Sequence, residues 1–230
     1  MENLPPIVFL HGLATSGSRT WGENGWIDLI RDSNRTPIII DLPGHGQSYS
    51  DSENATFEQS IKYVESKFPQ GEIDAVGFSL GARTLLSLAS ASPSRFRKLV
   101  VAGVGENLFT RDAERGKRIA DAIAGISTND DPESQYFRQL ANAPDINQNL
   151  VTQLMQSPPV QLTEEMLAAV TCPTLVALGD QDFAGPATRL VNALPNSSYV
   201  ELRGVDHFAT PKDFSFIEAT LKFIDAEPQW

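Results

Sequence analysis

Short runs of aliphatic residues recur along the chain, separated by stretches with helical spacing. No other feature limits the possible folds so strongly. The runs are 6–10, 36–40, 73–77, 98–104, 173–179 and 198–204. Several are nearly continuous in Val, Ile and Leu, the pattern of strands covered on both faces in a parallel sheet. Between them, Phe57, Ile61, Val64 and Phe68 repeat at i, i+4, i+7 and i+11, behind a Thr56/Gln59 pair that fits a capping box. Residues 80–91 are rich in Leu and Ala, as suits a helix buried against a sheet, and Ala187, Leu190, Val191 and Leu194 form another apolar stripe. The last helix is expected to open with Thr210 as N-cap and Pro211 in its first position, with Phe214, Ile217, Leu221 and Ile224 on one face. The alternation predicts an α/β fold: a mostly parallel sheet of about six strands, with helices on both faces.

The rhythm breaks between Glu106 and Val170. This stretch is polar, carries Arg111, Arg115, Lys117 and Arg118, contains Pro132, Pro144 and Pro158, and has no convincing strand. It reads as a small helical cap (106–170) inserted into a core made of 1–105 and 171–230. An insertion at the carboxyl edge of a parallel sheet lies where such folds bind ligands.

Charge excludes several classes of partner. Lys plus Arg number 18 against 29 Asp plus Glu, a formal net charge of −11. Nucleic-acid binding and anionic membrane surfaces both call for basic side chains, so neither is expected. Cys172 is the single cysteine, which rules out an internal disulfide and a cysteine-built metal site. With no visible secretory signal and no apolar run long enough to span a bilayer, a soluble cytoplasmic protein is expected.

The decisive motif is Gly77-Phe78-Ser79-Leu80-Gly81, placed directly after a strand and before a helix. A serine on such a turn is exposed at a helix N-terminus, where free N–H groups favour developing negative charge. A hydroxyl needs a base to become a nucleophile. Of the three histidines, His207 follows the last strand and the serine in chain order, whereas His11 and His45 sit in glycine-rich turns. Asp182, three residues beyond the glycine that ends the preceding strand, is the preferred acid; Asp180, Asp206 and Glu106 compete. Gly12 lets the backbone turn after the first strand, so the N–H groups of Leu13 and Leu80 are candidates for an oxyanion hole.

The stretches 6–13, Asp41-Leu42-Pro43-Gly44-His45-Gly46-Gln47-Ser48, the Ser79 turn, 179–182 and 204–207 follow one another in the order and spacing of the α/β-hydrolase superfamily. The chain resembles a serine-nucleophile, small-cap member of it over nearly all its length outside the cap. The family's sheet has eight strands, but five residues precede the first run here, so the first hairpin is expected to be missing. Halide-displacing and epoxide-opening relatives carry aspartate where this chain has Ser79. His11, His45 and Asp41 match structural turn residues of the family, and no metal site is expected.

The resemblance implies a hydrolase acting on a small carboxylic ester, thioester or lactone through Ser79, His207 and Asp182, with no cofactor and a small-molecule substrate as partner. A narrower likeness competes. Residues 77–83, ending in Arg83, together with the arginines that follow, resemble the menaquinone-pathway lyase that makes 2-succinyl-6-hydroxy-2,4-cyclohexadiene-1-carboxylate, although that family usually carries tyrosine where Phe78 stands. On that reading Phe78, Arg83, Arg115 and Arg118, with Arg111, would contact a substrate rich in carboxylates. A ligand-binding receptor on the same fold is the third possibility. Among cap residues, Tyr136, Phe137, Leu140, Ile119, Ile123, Ile126, Leu108, Phe109, Leu150, Leu154 and Met155 are expected to divide between a pocket lining and the cap's own packing.

Overall fold

Continuous aliphatic runs become strands because branched side chains fill a pleated surface covered on both sides. The computed structural model describes residues 4–50, 55–110, 112–126, 131–158 and 160–228. In it β1 (Ile7–Leu10), β2 (Pro37–Ile40), β3 (Ile73–Phe78), β4 (Phe96–Ala102), β5 (Thr174–Gly179) and β6 (Ser197–Leu202) form one sheet in the order β2-β1-β3-β4-β5-β6. Every pairing is parallel. The side-chain period of two divides each strand between two cores. Val8, Leu10, Leu99, Val101, Val176 and Leu178 face one way; Ile7, Phe9, Val76, Val100, Ala102 and Ala177 face the other.

In chain order the helices are α1 (Trp26–Asp32), α2 (Phe57–Lys67), α3 (Leu80–Ala91), α4 (Ala113–Ile123), α5 (Pro132–Ala141), α6 (Gln148–Gln156), α7 (Glu164–Ala168), α8 (Thr188–Ala193) and α9 (Phe214–Phe223). The first core is closed by Val64 of α2, Leu85 and Leu86 of α3, Leu167 of α7 and Leu190 of α8. Trp26 and Ile30 of α1 and Phe216 and Leu221 of α9 close the second. The expected sheet, its strand number and its two helical faces are thus present.

Local chemistry sets the ends of these elements. Thr56 and Gln59 form the expected reciprocal capping box at the start of α2. Strand β4 ends two residues earlier than expected, because Gly103 turns into positive φ (+67°). The expected start of the last helix is corrected as well. Residues Thr210–Lys212 form a separate 3-10 turn, and α9 is capped by Asp213, whose carboxylate accepts from the Phe216 N–H at 3.0 Å. The Thr210 hydroxyl is spent on the Asp206 carbonyl instead.

Between β4 and β5 the described residues form helices and no strand. Each of α4 to α7 opens on a side-chain cap, from Asp112, Asp131, Asn147 and Thr163 in turn. Caps of this kind contribute about 0.5–2 kcal/mol each, which matters for helices this short. Helices α5 and α6 pack on α4, whereas α7 packs on α3 and α8 of the core. After β1 the chain runs to β2 on one side and then crosses to β3 on the other, so the strand order reverses between β1 and β3. Ligands of open α/β sheets bind beyond the carboxyl ends of the strands at such a point.

Candidate active site

Ser79 sits on the turn from β3 into α3 with φ 54° and ψ −109°, a conformation that costs a non-glycine residue on the order of 1–3 kcal/mol. The neighbouring glycines make the turn possible. A Cβ on Gly77 would lie 2.8 Å from the backbone N of Ala82, and one on Gly81 would collide with the carbonyl oxygens of Leu10 and His11. The Ser79 N–H donates to the Ala102 carbonyl at 2.8 Å, which fastens the turn to β4.

His207 comes from the loop after β6 and Asp182 from the loop after β5. The two loops are tied together, because the Gly204 N–H donates to Asp180 at 2.8 Å. Both Asp182 oxygens lie 2.9 Å from His207 Nδ1, and one also accepts from the Ala184 N–H at 2.8 Å. A carboxylate can only accept, so Nδ1 carries the proton. Nε2 is left to accept from the Ser79 hydroxyl, 3.0 Å away. The imidazole is buried, with the Phe78 ring 4.8 Å and the Phe183 ring 4.1 Å from it. The three competing carboxylates are engaged elsewhere: Asp180 with Gly204, Asp206 with the Ala209 N–H, and Glu106 with Thr110 and Arg189. The geometry therefore joins Ser79, His207 and Asp182 in one chain of hydrogen bonds.

The loop after β1, which carries Leu13, is braced by two buried histidines. His11 donates from Nδ1 to the Gly12 carbonyl (2.7 Å) and accepts the Leu42 N–H at Nε2 (3.1 Å). His45 donates to the Pro43 carbonyl (3.0 Å) and accepts the Ala14 N–H (3.1 Å). Burial pushes His11 down to about 4; burial, and then the neighbouring His11, push His45 down to about 3. Both are neutral braces, as their bonding requires. Asp41 completes the brace by accepting from the Gly17 and Gln47 N–H groups. Leu80 opens α3, where the first N–H groups have no intrahelical acceptor.

Ser79 and His207 open onto a cavity of about 260 Å³. Tyr136, Phe137 and Leu140 of α5, with Phe208, supply an apolar side, and Phe78 and Leu13 also line it. Other cap residues from the expected lining pack inward: Ile119 and Ile123 around Phe137, Leu150 and Leu154 on Phe57, and Leu108 and Phe109 against the sheet core. Ile126 is exposed.

The structure does not bring the expected substrate arginines to the cavity; all three bond protein partners. Arg83 donates to the Asn107 carbonyl at 2.8 Å, and burial lowers its pKa to about 10, so it stays charged at neutral pH. Arg115 grips both oxygens of Glu133 and stacks 4.1 Å over the Phe183 ring. Arg118 pairs with Glu133 and Asp131. None of them lines the cavity. Arg111 lies outside the described residues. The polar wall comes instead from residues that periodicity had no means to mark, namely Thr15, Arg19, Thr20, Asn24 and Lys212. Among the described residues, no cluster of three His, Cys, Asp or Glu could hold a metal ion, and no helix is long and apolar enough to cross a membrane.

This strand-turn-helix serine, with a histidine and an acid delivered by later strands, defines a class, and comparison with known proteins agrees. The family model described as the alpha/beta hydrolase fold matches residues 5–126, and the chain belongs to that family. It is 32% identical over 142 residues to an sn-1-specific diacylglycerol lipase of Mus musculus, a match covering 60% of this chain and 45% of the lipase. It is 31% identical over 137 residues to the 2-succinyl-6-hydroxy-2,4-cyclohexadiene-1-carboxylate synthase of Klebsiella pneumoniae, covering 58% of this chain and 52% of the synthase. The chain thus spans about half the length of these curated relatives. A bromoperoxidase of Bacillus anthracis shares the fold with a TM-score of 0.76 at 21% identity, covering 96% of this chain and 92% of that one.

Proposed function

We propose that the chain is a serine hydrolase that cleaves a small carboxylic ester, thioester or lactone through an acyl-enzyme. One observation carries this reading: the unbroken path from Ser79 Oγ to His207 Nε2 (3.0 Å) and from His207 Nδ1 to Asp182 (2.9 Å), opening on a small cavity. His207 takes the hydroxyl proton as Ser79 Oγ attacks the carbonyl carbon, and Asp182 stabilises the imidazolium that forms. The N–H groups of Leu13 and Leu80 receive the oxyanion of the tetrahedral intermediate. Collapse breaks the bond to the leaving group, which departs with the proton from His207. Water, deprotonated by the same imidazole, then releases the acid.

The lyase reading draws support from the likeness to the Klebsiella synthase, but Arg83, Arg115 and Arg118 are all committed to protein partners rather than to the cavity. A receptor would need none of the hydrogen-bonded path. The test is labelling with a fluorophosphonate, followed by turnover of p-nitrophenyl esters from acetate to decanoate. One adduct, lost in Ser79→Ala, and hydrolysis favouring short to medium chains are expected. An adduct that persists in Ser79→Ala would overturn the nucleophile. Labelling without hydrolysis across the series would favour the lyase.

A further inference from the structure

The polar wall of the cavity contains two cations and, among the described residues, no carboxylate. That composition runs against the rest of the chain, where acids outnumber bases by 29 to 18. A site for a wholly neutral ester would need neither cation.

The Arg19 side chain is held in place by construction, and the backbone turn that carries Lys212 is fixed as well. Arg19 belongs to the five-residue turn Ser18–Gly22, which is wound in π fashion, the Glu23 N–H reaching back to the Ser18 carbonyl at 2.9 Å. Such single π turns are frequent at functional sites. The Asn24 amide donates to the Arg19 and Thr20 carbonyls and secures the turn. Asp145 and the Ala14 carbonyl take Arg19 Nε and Nη2 and fix the guanidinium. Lys212 ends the 3-10 turn whose Pro211 carbonyl accepts the buried Trp26 indole N–H at 2.7 Å. Its ammonium has no acidic partner among the described residues. Asp145 offsets Arg19, so the wall is left with one net positive charge, on Lys212.

We propose that the substrate is an ester or thioester whose non-reacting end carries a carboxylate, held at this wall by Lys212 with Arg19 beside it. The inference rests on the hydrolase reading and deepens it. The long-range field of a chain at −11 repels such a substrate, so selectivity for it has to arise from these local donors. The apolar residues Tyr136, Phe137 and Leu140 would cover the methylenes between the two ends.

The experiment compares monomethyl succinate, glutarate and adipate with the matching dimethyl esters, following kcat/KM by pH-stat. At least one monomethyl ester is expected to exceed its dimethyl counterpart about tenfold, and Lys212→Gln to reduce that ratio about tenfold, in line with a charge-assisted hydrogen bond. Lys62→Gln, an equal change of charge on the exposed side of α2, should leave the ratio alone. A ratio at or below one for every pair, or one that Lys212→Gln does not move, overturns the proposal. Calorimetric binding of succinate, glutarate and adipate to Ser79→Ala protein gives an answer that needs no turnover. Saturable binding weakened about tenfold by Lys212→Gln supports the carboxylate site, and equal or absent binding refutes it. The hydrolase reading fails separately, if no ester is cleaved and no fluorophosphonate adduct forms.

Discussion

The two ends of the sheet handle buried polar groups in opposite ways. At the amino end, Asp74 is fully buried and is gripped by Arg35 at 2.5 Å and by Arg97 at 2.5 and 2.9 Å. Arg35 also caps the Ile224 carbonyl (2.6 Å), and Arg97 and Lys98 both reach Asp225 at 2.7 Å just beyond α9. The carboxylate's charge is answered by protein, and the network ties the end of α9 to the starts of β3 and β4. At the carboxyl end, Ser79 and His207 also bond each other, yet both face a cavity, and the serine backbone is strained. A buried ion pair ringed by further partners marks anchoring. On the hydrolase reading, a buried histidine-acid pair whose third member opens onto a cavity is where the chemistry would run.

Substitutions that separate activity from stability test this contrast. The largest effect is expected for Asp182→Asn, which should lower turnover of p-nitrophenyl butyrate about 10⁴-fold by favouring the wrong imidazole tautomer. Asp180→Asn, Asp206→Asn and Glu106→Gln should lose far less. A comparable loss in Glu106→Gln would mean that the acid is misassigned. At the other end, Asp74→Ala strands the buried Arg35 without its counter-charge, while Arg97 keeps Asp225, and should destabilise the fold by about 3–5 kcal/mol, read as a fall in the urea midpoint. The kcat of the molecules still folded should stay within about twofold. If kcat collapses with it, the two ends are not independent.

The histidine braces give the carboxyl end an acid sensitivity that begins just below neutral pH. His11 and His45 are neutral when folded, with pKa values of about 4 and about 3, so below pH 6.5 the unfolded chain binds protons that the folded chain does not. Their contribution to stability should therefore be level above pH 6.5 and be lost as pH falls from there to about 4 for His11 and about 3 for His45, on the order of 3 and 5 kcal/mol respectively. Urea titrations of His45→Gln should show a shallower fall over that range than the parent protein. Equal slopes would sink the assignment. The smallest effect is a gain: Ser79→Gly relieves the positive φ, and the unfolding free energy should rise by about 1 kcal/mol, read as a higher urea midpoint, while labelling disappears.

The sheet was legible because parallel strands buried on both faces leave unbroken aliphatic runs, as in Ile7–Leu10 and Thr174–Gly179. The Ser79 turn was legible because its glycines answer steric limits only a few residues away. What the cap arginines do was not. Arg115 meets Glu133 across two helices, 18 positions apart, and no periodicity records such a pairing. Arg19 escaped notice because a π turn follows no apolar repeat. Thr210 and Asp213 both have capping chemistry, and the irregular turn that bonds the Thr210 hydroxyl to the Asp206 carbonyl four residues back decides between them.

The spacing of the hydrogen-bonded trio along the chain bears on how activity returns after denaturation. Ser79 and His207 are 128 residues apart, and Asp182 and His207 are separated by 25. The strained turn needs only β3, α3 and their neighbours, but the proposed base and acid arrive with β5 and β6, at the far edge of the sheet. Contacts across such distances close slowly, because the intervening chain must first lose its freedom. A chain whose last strand is unpaired would hold its serine in place with nothing to take the proton. Hydrolysis in a refolding assay would then report completion of the β5–β6 edge, on the hydrolase reading.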